Sequence, residues 1–262
     1  MIRIKIRRKI DKRKYTLYAV MTFIVILAVW SLVSGLELIE PIFLPTPLSV
    51  LKYAIKSARD GVLWLNMGVS VYRILFGFIL AIILGIPIGI LAGTFKVAEA
   101  IIRPLCEFIR YMPVPAFVPL IMVWAGIGET AKILVIFIGT FFQLVLMVAD
   151  DALSVPDELI YAGYTLGADT KIAVWKILIP AMLPRLMDTL RMMIGWAWTY
   201  LVSAELVAAS SGLGYSILKA QRFVKTDAIF SGIIIIGILG LVTDRIFAIV
   251  NKRLFKWREG GA

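Results

Sequence analysis

Polar and ionisable side chains set inside apolar runs are the first candidates for chemistry, because an unpaired charge in such surroundings is costly and its retention signals a use. Arg191 and Glu205 are the clearest pair. Separated by fourteen residues, they would stand roughly 21 Å apart along a helix, near its opposite ends and beyond direct pairing. Trp196, Trp198, Thr199, Tyr200 and Ser203 lie between them, Thr199 and Ser203 sharing one face at i, i+4. Gln143 is a further polar group in an apolar stretch. This set fits a transient path for an anion. It fits equally a snorkelling Arg191, an interfacial Glu205, an aromatic belt, and hydroxyl and amide contacts between helices. The chain has no histidine and one cysteine, Cys106, which excludes intrachain disulfides and every histidine-dependent metal or acid–base scheme. No G-x-x-x-x-G-K-S/T occurs, so nucleotide binding by a P-loop is excluded too.

The elements that must position these groups are membrane spans. Of 262 residues, 61% are apolar and the mean hydropathy is +0.93, well beyond the usual soluble share of about 45–50%. The net charge of +11 is concentrated at the ends. Arg3, Lys5, Arg7, Arg8, Lys9, Lys12, Arg13 and Lys14 precede the first apolar run, and Lys252, Arg253, Lys256 and Arg258 follow the last. Such clusters anchor topology at the cytoplasmic face, a simpler account than a nucleic-acid patch. Residues 15–36 run uncharged for longer than a signal-peptide core and show no clear cleavage site, so they read as a retained helix.

Six spans are expected, at 15–36, about 69–95, 110–126, 132–149, about 186–208 and 228–250. The fold class is therefore all-α and polytopic, a single domain over 1–262 with a cytoplasmic basic tail at 1–14 and both termini cytoplasmic. Segments 37–68, 127–131 and 209–227 fall outside, and 96–103 and 150–185 fall inside. Leu44-Pro45-Thr46-Pro47 leads into a short amphipathic helix near 48–58. Gly77, Gly85, Gly89 and Gly93 permit close packing of the second span. Pro104, Pro113, Pro115 and Pro119 break the third, which places it against a water-filled pathway or makes it a kinked or re-entrant packing element.

Residues 150–185 form the longest inner segment. Ser154 to Asp157 carry a helix-start signal, with Asp157 and Glu158 favouring the positive end of the helix dipole. Leu159, Ala162, Gly163 and Leu166 make one apolar face, and Gly167 suits a C-cap. A second helix, 170–179, is expected to stop against Pro180 and Pro184. The pair suits a knob that enters a groove on a soluble partner, or two helices lying on the membrane surface.

The order Tyr161-Ala162-Gly163, three residues, Gly167, nine residues, Ile177, one residue, Ile179-Pro180 is similar to the E-A-A-x3-G-x9-I-x-L-P loop of binding-protein-dependent ABC import permeases. Tyr161 replaces glutamate, Gly163 an alanine and Ile179 a leucine. Leu44-Pro45-Thr46-Pro47, residues 113–120, Trp124-Ala125-Gly126-Ile127-Gly128-Glu129-Thr130, Ala204-Glu205-Leu206 and Ser211-Gly212-Leu213-Gly214-Tyr215 extend the resemblance, which points to the nitrate/sulfonate/taurine/bicarbonate branch. The resemblance implies a MetI-like, type I importer fold in the cell inner membrane and no enzymatic activity in this chain. Its implied partners are a second copy of the chain, two cytoplasmic ATPases that bind ATP and Mg, and an external binding protein. Asp157, Glu158, Tyr161, Ala162, Gly163, Gly167 and Ala168 would form the ATPase-coupling loop. No cofactor or metal is expected on this chain, and no nucleic acid. The implied cargo is a small oxyanion or sulfonate, such as nitrate, bicarbonate, taurine or an alkanesulfonate. A gradient-driven transporter or channel is the competing class, but midplane carboxylates or an inverted repeat would mark it.

The charge asymmetry generates a test of orientation. In a Cys106→Ala background, Ser211→Cys should react with a membrane-impermeant thiol reagent on intact cells, and Thr170→Cys only after the membrane is opened. Reversal of both labels would invert the topology.

Overall fold

The computed structural model of the chain describes residues 10–206 and 209–255, and the regular structure among them is entirely helical. The basic residues at 1–9, Lys256 and Arg258, and residues 207–208 at the end of the expected fifth span, lie outside the described residues. Helix α1, Lys12–Gly35, is apolar and faces outward along nearly its whole length. Helix α2, Pro47–Arg59, is the expected amphipathic element: Pro47 occupies the first turn, and the Thr46 hydroxyl accepts from the Ser49 N–H at 3.2 Å.

The core is set by α3, Val62–Thr94, against α6, Glu129–Leu153. Glycines on α3 meet α6 in step: Gly77 faces Ile136, Gly85 faces Leu144, Gly89 faces Val148 and Gly93 faces Ala149 and Ala152. A Cβ on Gly89 would stand 2.6 Å from Val148 Cβ and 2.8 Å from the Val145 carbonyl oxygen. The small residues of the second span are thus spent within the chain, letting two backbones approach as membrane helices do without a hydrophobic driving force between them.

Because both numbers rise together along this contact, α3 and α6 are parallel. The intervening chain must return from one end of the pair to the other. It does so as α4, Lys96–Arg110, and α5, Val114–Ala125, which meet at a bend of 101°. This corrects the expected third span at 110–126. Twelve residues in α5 extend only about 18 Å, too short to cross alone, and residues 96–103, expected as a loop, are helical. The break has a local cause. Pro113 disfavours helical geometry at Met112 and becomes the N-cap of α5.

Ser154 closes α6 rather than opening the next helix, its hydroxyl donating to the Asp151 carbonyl at 2.7 Å. Helix α7, Asp157–Thr165, follows with Pro156 at its N-cap and Asp157 and Glu158 in its first turn. The expected stop at Pro180 does not occur. Helix α8, Thr170–Ile172, runs through a π-helical turn, Ala173–Leu178, into α9, Ile179–Leu206. Pro180 lies just where the π-helical turn passes into α9, and the altered hydrogen-bond pattern of that turn accommodates its missing N–H. Helices α10, Leu213–Arg222, and α11, Thr226–Leu254, complete the chain.

Helices α1, α3, α6 and α11 are each long and apolar enough to cross a membrane, and the bent α4–α5 pair adds one more span. Helix α9 has the length, 28 residues, but is less apolar than these four, with charged, hydroxyl and aromatic residues along it. It nevertheless runs antiparallel to α6 and α11, with Arg185 on Asp151 and Asn251 on Asp188, and buries Met193, Ala197 and Leu201 between them. With α9 the crossings among the described residues number six. Trp30 Nε1 donates to the Pro45 carbonyl at 2.9 Å and its ring lies 5.6 Å from that of Phe230, so the end of α1 meets the start of α11. The start of α1 and the end of α11 therefore share the face that carries α7.

Gly89→Val should lower the thermal stability of the detergent-solubilised protein strongly, the overpacking costing about 1–3 kcal/mol or more. Gly68→Val, on the same helix with nothing near its Cβ position, should change it little. Equal effects would refute the close α3–α6 contact.

Candidate functional site

Three arrangements concentrate polar chemistry. The first is a buried ion cluster at the end of the molecule opposite α7. The Arg73 side chain has 0% exposure, and its guanidinium forks onto Glu129, Nε to Oε2 at 2.6 Å and Nη2 to Oε1 at 2.7 Å. Its Nη1 donates to Glu205 Oε1 and to the Ser211 carbonyl, both at 2.7 Å. Lys132 donates to Glu129 at 2.9 Å, so two cations balance two carboxylates. Glu205 also accepts from the Ser70 hydroxyl at 2.8 Å and from the Gly214 N–H at 2.7 Å.

The same cluster caps α10. Asn66 accepts from the Gly212 N–H at 2.8 Å and Ser70 from the Leu213 N–H at 2.9 Å, so three consecutive backbone donors meet side chains of α3 and α9. Gly212 has φ +116, and a Cβ there would run into the Glu205 carboxylate. Only glycine fits that turn.

The second arrangement is a cavity of about 200 Å³ at the α4–α5 elbow, lined by Arg110, Tyr111, Gln143 and Tyr200 among apolar side chains. The Tyr200 ring packs directly on Gly139, where a Cβ would be 2.6 Å from it. The third is the α7 knob. Gly167, φ +86, follows the C-cap; its N–H donates to the Tyr164 carbonyl at 2.9 Å and the Ala168 N–H to the Gly163 carbonyl at 3.0 Å. These two bonds make a Schellman turn. Gly163 is buried against Ile177, whereas Leu159, Tyr161 and Leu166 are exposed, Leu166 to 89%.

The structure brings Gln143 and Tyr200 together at the elbow and leaves Thr199 exposed and Ser203 half-exposed on the outer side of α9. Arg191 and Glu205 do not meet. Arg191 forks onto Asp244 of α11 at 2.6 and 2.7 Å, and Glu205 belongs to the Arg73 cluster. Asp157, Glu158, Tyr161, Ala162, Gly163, Gly167 and Ala168 do form one compact turn of chain. Sequence reasoning missed Arg73, Asp244 and Arg110. The signal for Arg73 was present, a lone cation four residues into the run beginning at 69, and the rule applied to Arg191 would have found it.

Residues 85–256 match the family described as the inner membrane component of binding-protein-dependent transport systems. The chain is 35% identical over 241 residues to the taurine transport system permease protein of Escherichia coli, covering 90% of this chain and 88% of that one. It is 34% identical over 255 residues to a Bacillus subtilis permease protein named for aliphatic sulfonates transport, covering 97% and 92%. An inward-facing structure of the MetNI methionine ABC transporter shares the fold, with a TM-score of 0.57 at 22% identity over 73% of this chain and 95% of that one.

Arg73→Met should destabilise the solubilised protein by about 3–5 kcal/mol, because it strands Glu205 as a buried charge. Adding Glu205→Gln should recover part of the loss in the same denaturation measurement. A double variant no better than the single one would show that the stranded charge is not the cause.

Proposed function

The chain belongs to the family of binding-protein-dependent transport system inner membrane components, and from that premise we propose that it is the permease subunit of an ATP-driven importer of a small oxyanion or sulfonate. Two copies form the pathway, two cytoplasmic ATPases bind ATP and Mg, and an external binding protein delivers the cargo. The ends of the chain and α7 lie in the cytoplasm.

One observation carries the coupling step: α7 is a rigidly capped knob whose apolar side chains are left outside the fold. Leu159, Tyr161 and Leu166 stay exposed among the described residues, which suits a groove on an ATPase. Behind them Gly163 seats on Ile177. That residue lies in the π-helical turn, which continues unbroken into α9. A push on α7 is delivered to a helix that spans the molecule, so ATPase closure rocks α9 and its partners together. Asp157 and Glu158 stabilise the start of the knob, and the Gly167–Ala168 turn closes its end.

In this reading Gln143 and Tyr200 contact the cargo, and Thr199 and Ser203 lie on the α9 face turned towards the second copy. Arg191 and Glu205 keep α9 in register with α11 and α3. The sulfonate and taurine relatives support the cargo class.

Gly167→Val should leave the protein in the membrane but cut both co-purification with the ATPase and ATP-driven uptake of taurine or methanesulfonate into proteoliposomes. Valine at that φ costs about 1–3 kcal/mol. Gly167→Asn, which tolerates the left-handed region, should retain both. Normal uptake with valine would remove the turn from the coupling path.

A further inference from the structure

Helix α4 carries a row of charges that cannot face lipid. Lys96, Glu99, Arg103, Glu107 and Arg110 recur at steps of three and four, on one side of the helix. The lower members neutralise one another. Lys96 pairs with Glu99 at 2.8 Å, and Arg103 pairs with Asp150 at 2.6 Å and with Glu99 and Glu107 at 3.5 and 3.8 Å. Arg110, at the top of the row, has no carboxylate within ion-pair distance among the described residues. Its Nη1 reaches Gln143 Oε1 at 3.4 Å, its Nη2 donates to the Tyr111 hydroxyl at 3.1 Å, and the guanidinium stands 4.9 Å from the Tyr111 ring centre. Most of its five N–H donors are unused.

This cation borders the elbow cavity of about 200 Å³, which no acidic side chain lines. Gln143 stands near the middle of the 25-residue α6, so the cavity lies at mid-depth. Since Gln143 accepts from Arg110 through its oxygen, its amide N–H groups remain to donate inward. The Tyr200 side chain lies on the same wall, and Phe117, Ile138 and Phe142 supply an apolar side. An uncompensated guanidinium, an amide donor and a phenol around a half-apolar space form the complement of a small monovalent organic oxyanion.

The geometry points to Arg110, exposed at the α4–α5 elbow, as the anion-holding residue of a cargo subsite there, with Gln143 and Tyr200 completing its wall. The inference rests on the permease reading and adds to it a stop within the membrane, where the anion exchanges water for a fixed fork. The charge row below Arg110 would line an aqueous vestibule leading to the inner face, since paired charges persist at membrane depth only against water or protein.

The test uses the full transporter, assembled with its ATPase in phosphatidylcholine nanodiscs, carrying Cys106→Ala and Met112→Cys at the cavity wall. Labelling at position 112 by the neutral reagent N-ethylmaleimide is timed with methanesulfonate or with uncharged dimethyl sulfone of nearly the same shape. Methanesulfonate should slow labelling and dimethyl sulfone should not. Arg110→Ala should raise the half-protecting concentration about ten-fold or more, the weight of one charge-assisted hydrogen bond, and Arg110→Lys should raise it less. Equal protection by the two compounds, or unchanged protection in Arg110→Ala, overturns the subsite while leaving ATP-driven uptake and the permease reading intact. Should Arg110→Ala fail to assemble, the comparison of the two compounds at intact Arg110 decides alone. Slowing by phosphatidylglycerol nanodiscs with no further effect of methanesulfonate assigns the cation to a lipid headgroup and also overturns it. Absence of ATP-driven uptake by the unaltered complex in proteoliposomes supplied with its binding protein overturns the permease reading, and the subsite with it.

Discussion

A guanidinium with no exposed surface must be satisfied on every side, and the requirements of Arg73 organise one end of this molecule. Its fork draws in Glu129 from the first turn of α6, and its remaining donors draw in Glu205 from the last turns of α9 and the backbone before α10. Four elements far apart in the chain are thereby tied at one point. The cost of desolvating these charges is offset because each carboxylate accepts several bonds and the cluster is neutral in sum. Three of the short motifs, around Glu129, Glu205 and Ser211, are contiguous in space for this reason.

The parallel α3–α6 contact imposes the next constraint. Two helices whose glycines and side chains interlock in one direction leave the chain at the wrong end, and the return must fit beside them. The return is made in two pieces. Proline at 113 makes the joint sharp, the amphipathic α4 brings charges to mid-depth, and the angle between α4 and α5 leaves an opening where the ladder of either helix ends. The elbow cavity is thus a consequence of the packing that precedes it.

Helix α9 shows how charge and burial coexist in such a bundle. Arg185, Asp188, Arg191 and Glu205 each meet an oppositely charged or amide group on α6, α11 or α3. Helix packing has done what a longer apolar run would do elsewhere. This also makes α9 a stiff connector between the α7 face and the Arg73 cluster.

Much was legible in the residues themselves. Apolar run length determined the spans of α1, α3, α6 and α11, because crossing hydrocarbon requires a fixed length of satisfied backbone. Local turn chemistry determined α2 behind Thr46-Pro47 and the glycine stop after α7, and spacing alone carried the family resemblance of residues 161–180. The rest depended on partners distant in sequence. Which acid would meet Arg73 or Arg191, that Ser154 would end a helix instead of starting one, and that Pro180 would be absorbed by a π-helical turn are outcomes of packing. So is the elbow: prolines marked a break in the third span, but its place beside Gln143 and Tyr200 follows from the direction of α6. Hydropathy reports what one segment gains from leaving water, whereas a buried charge is settled by a residue elsewhere in the chain, and only the folded arrangement brings the two together.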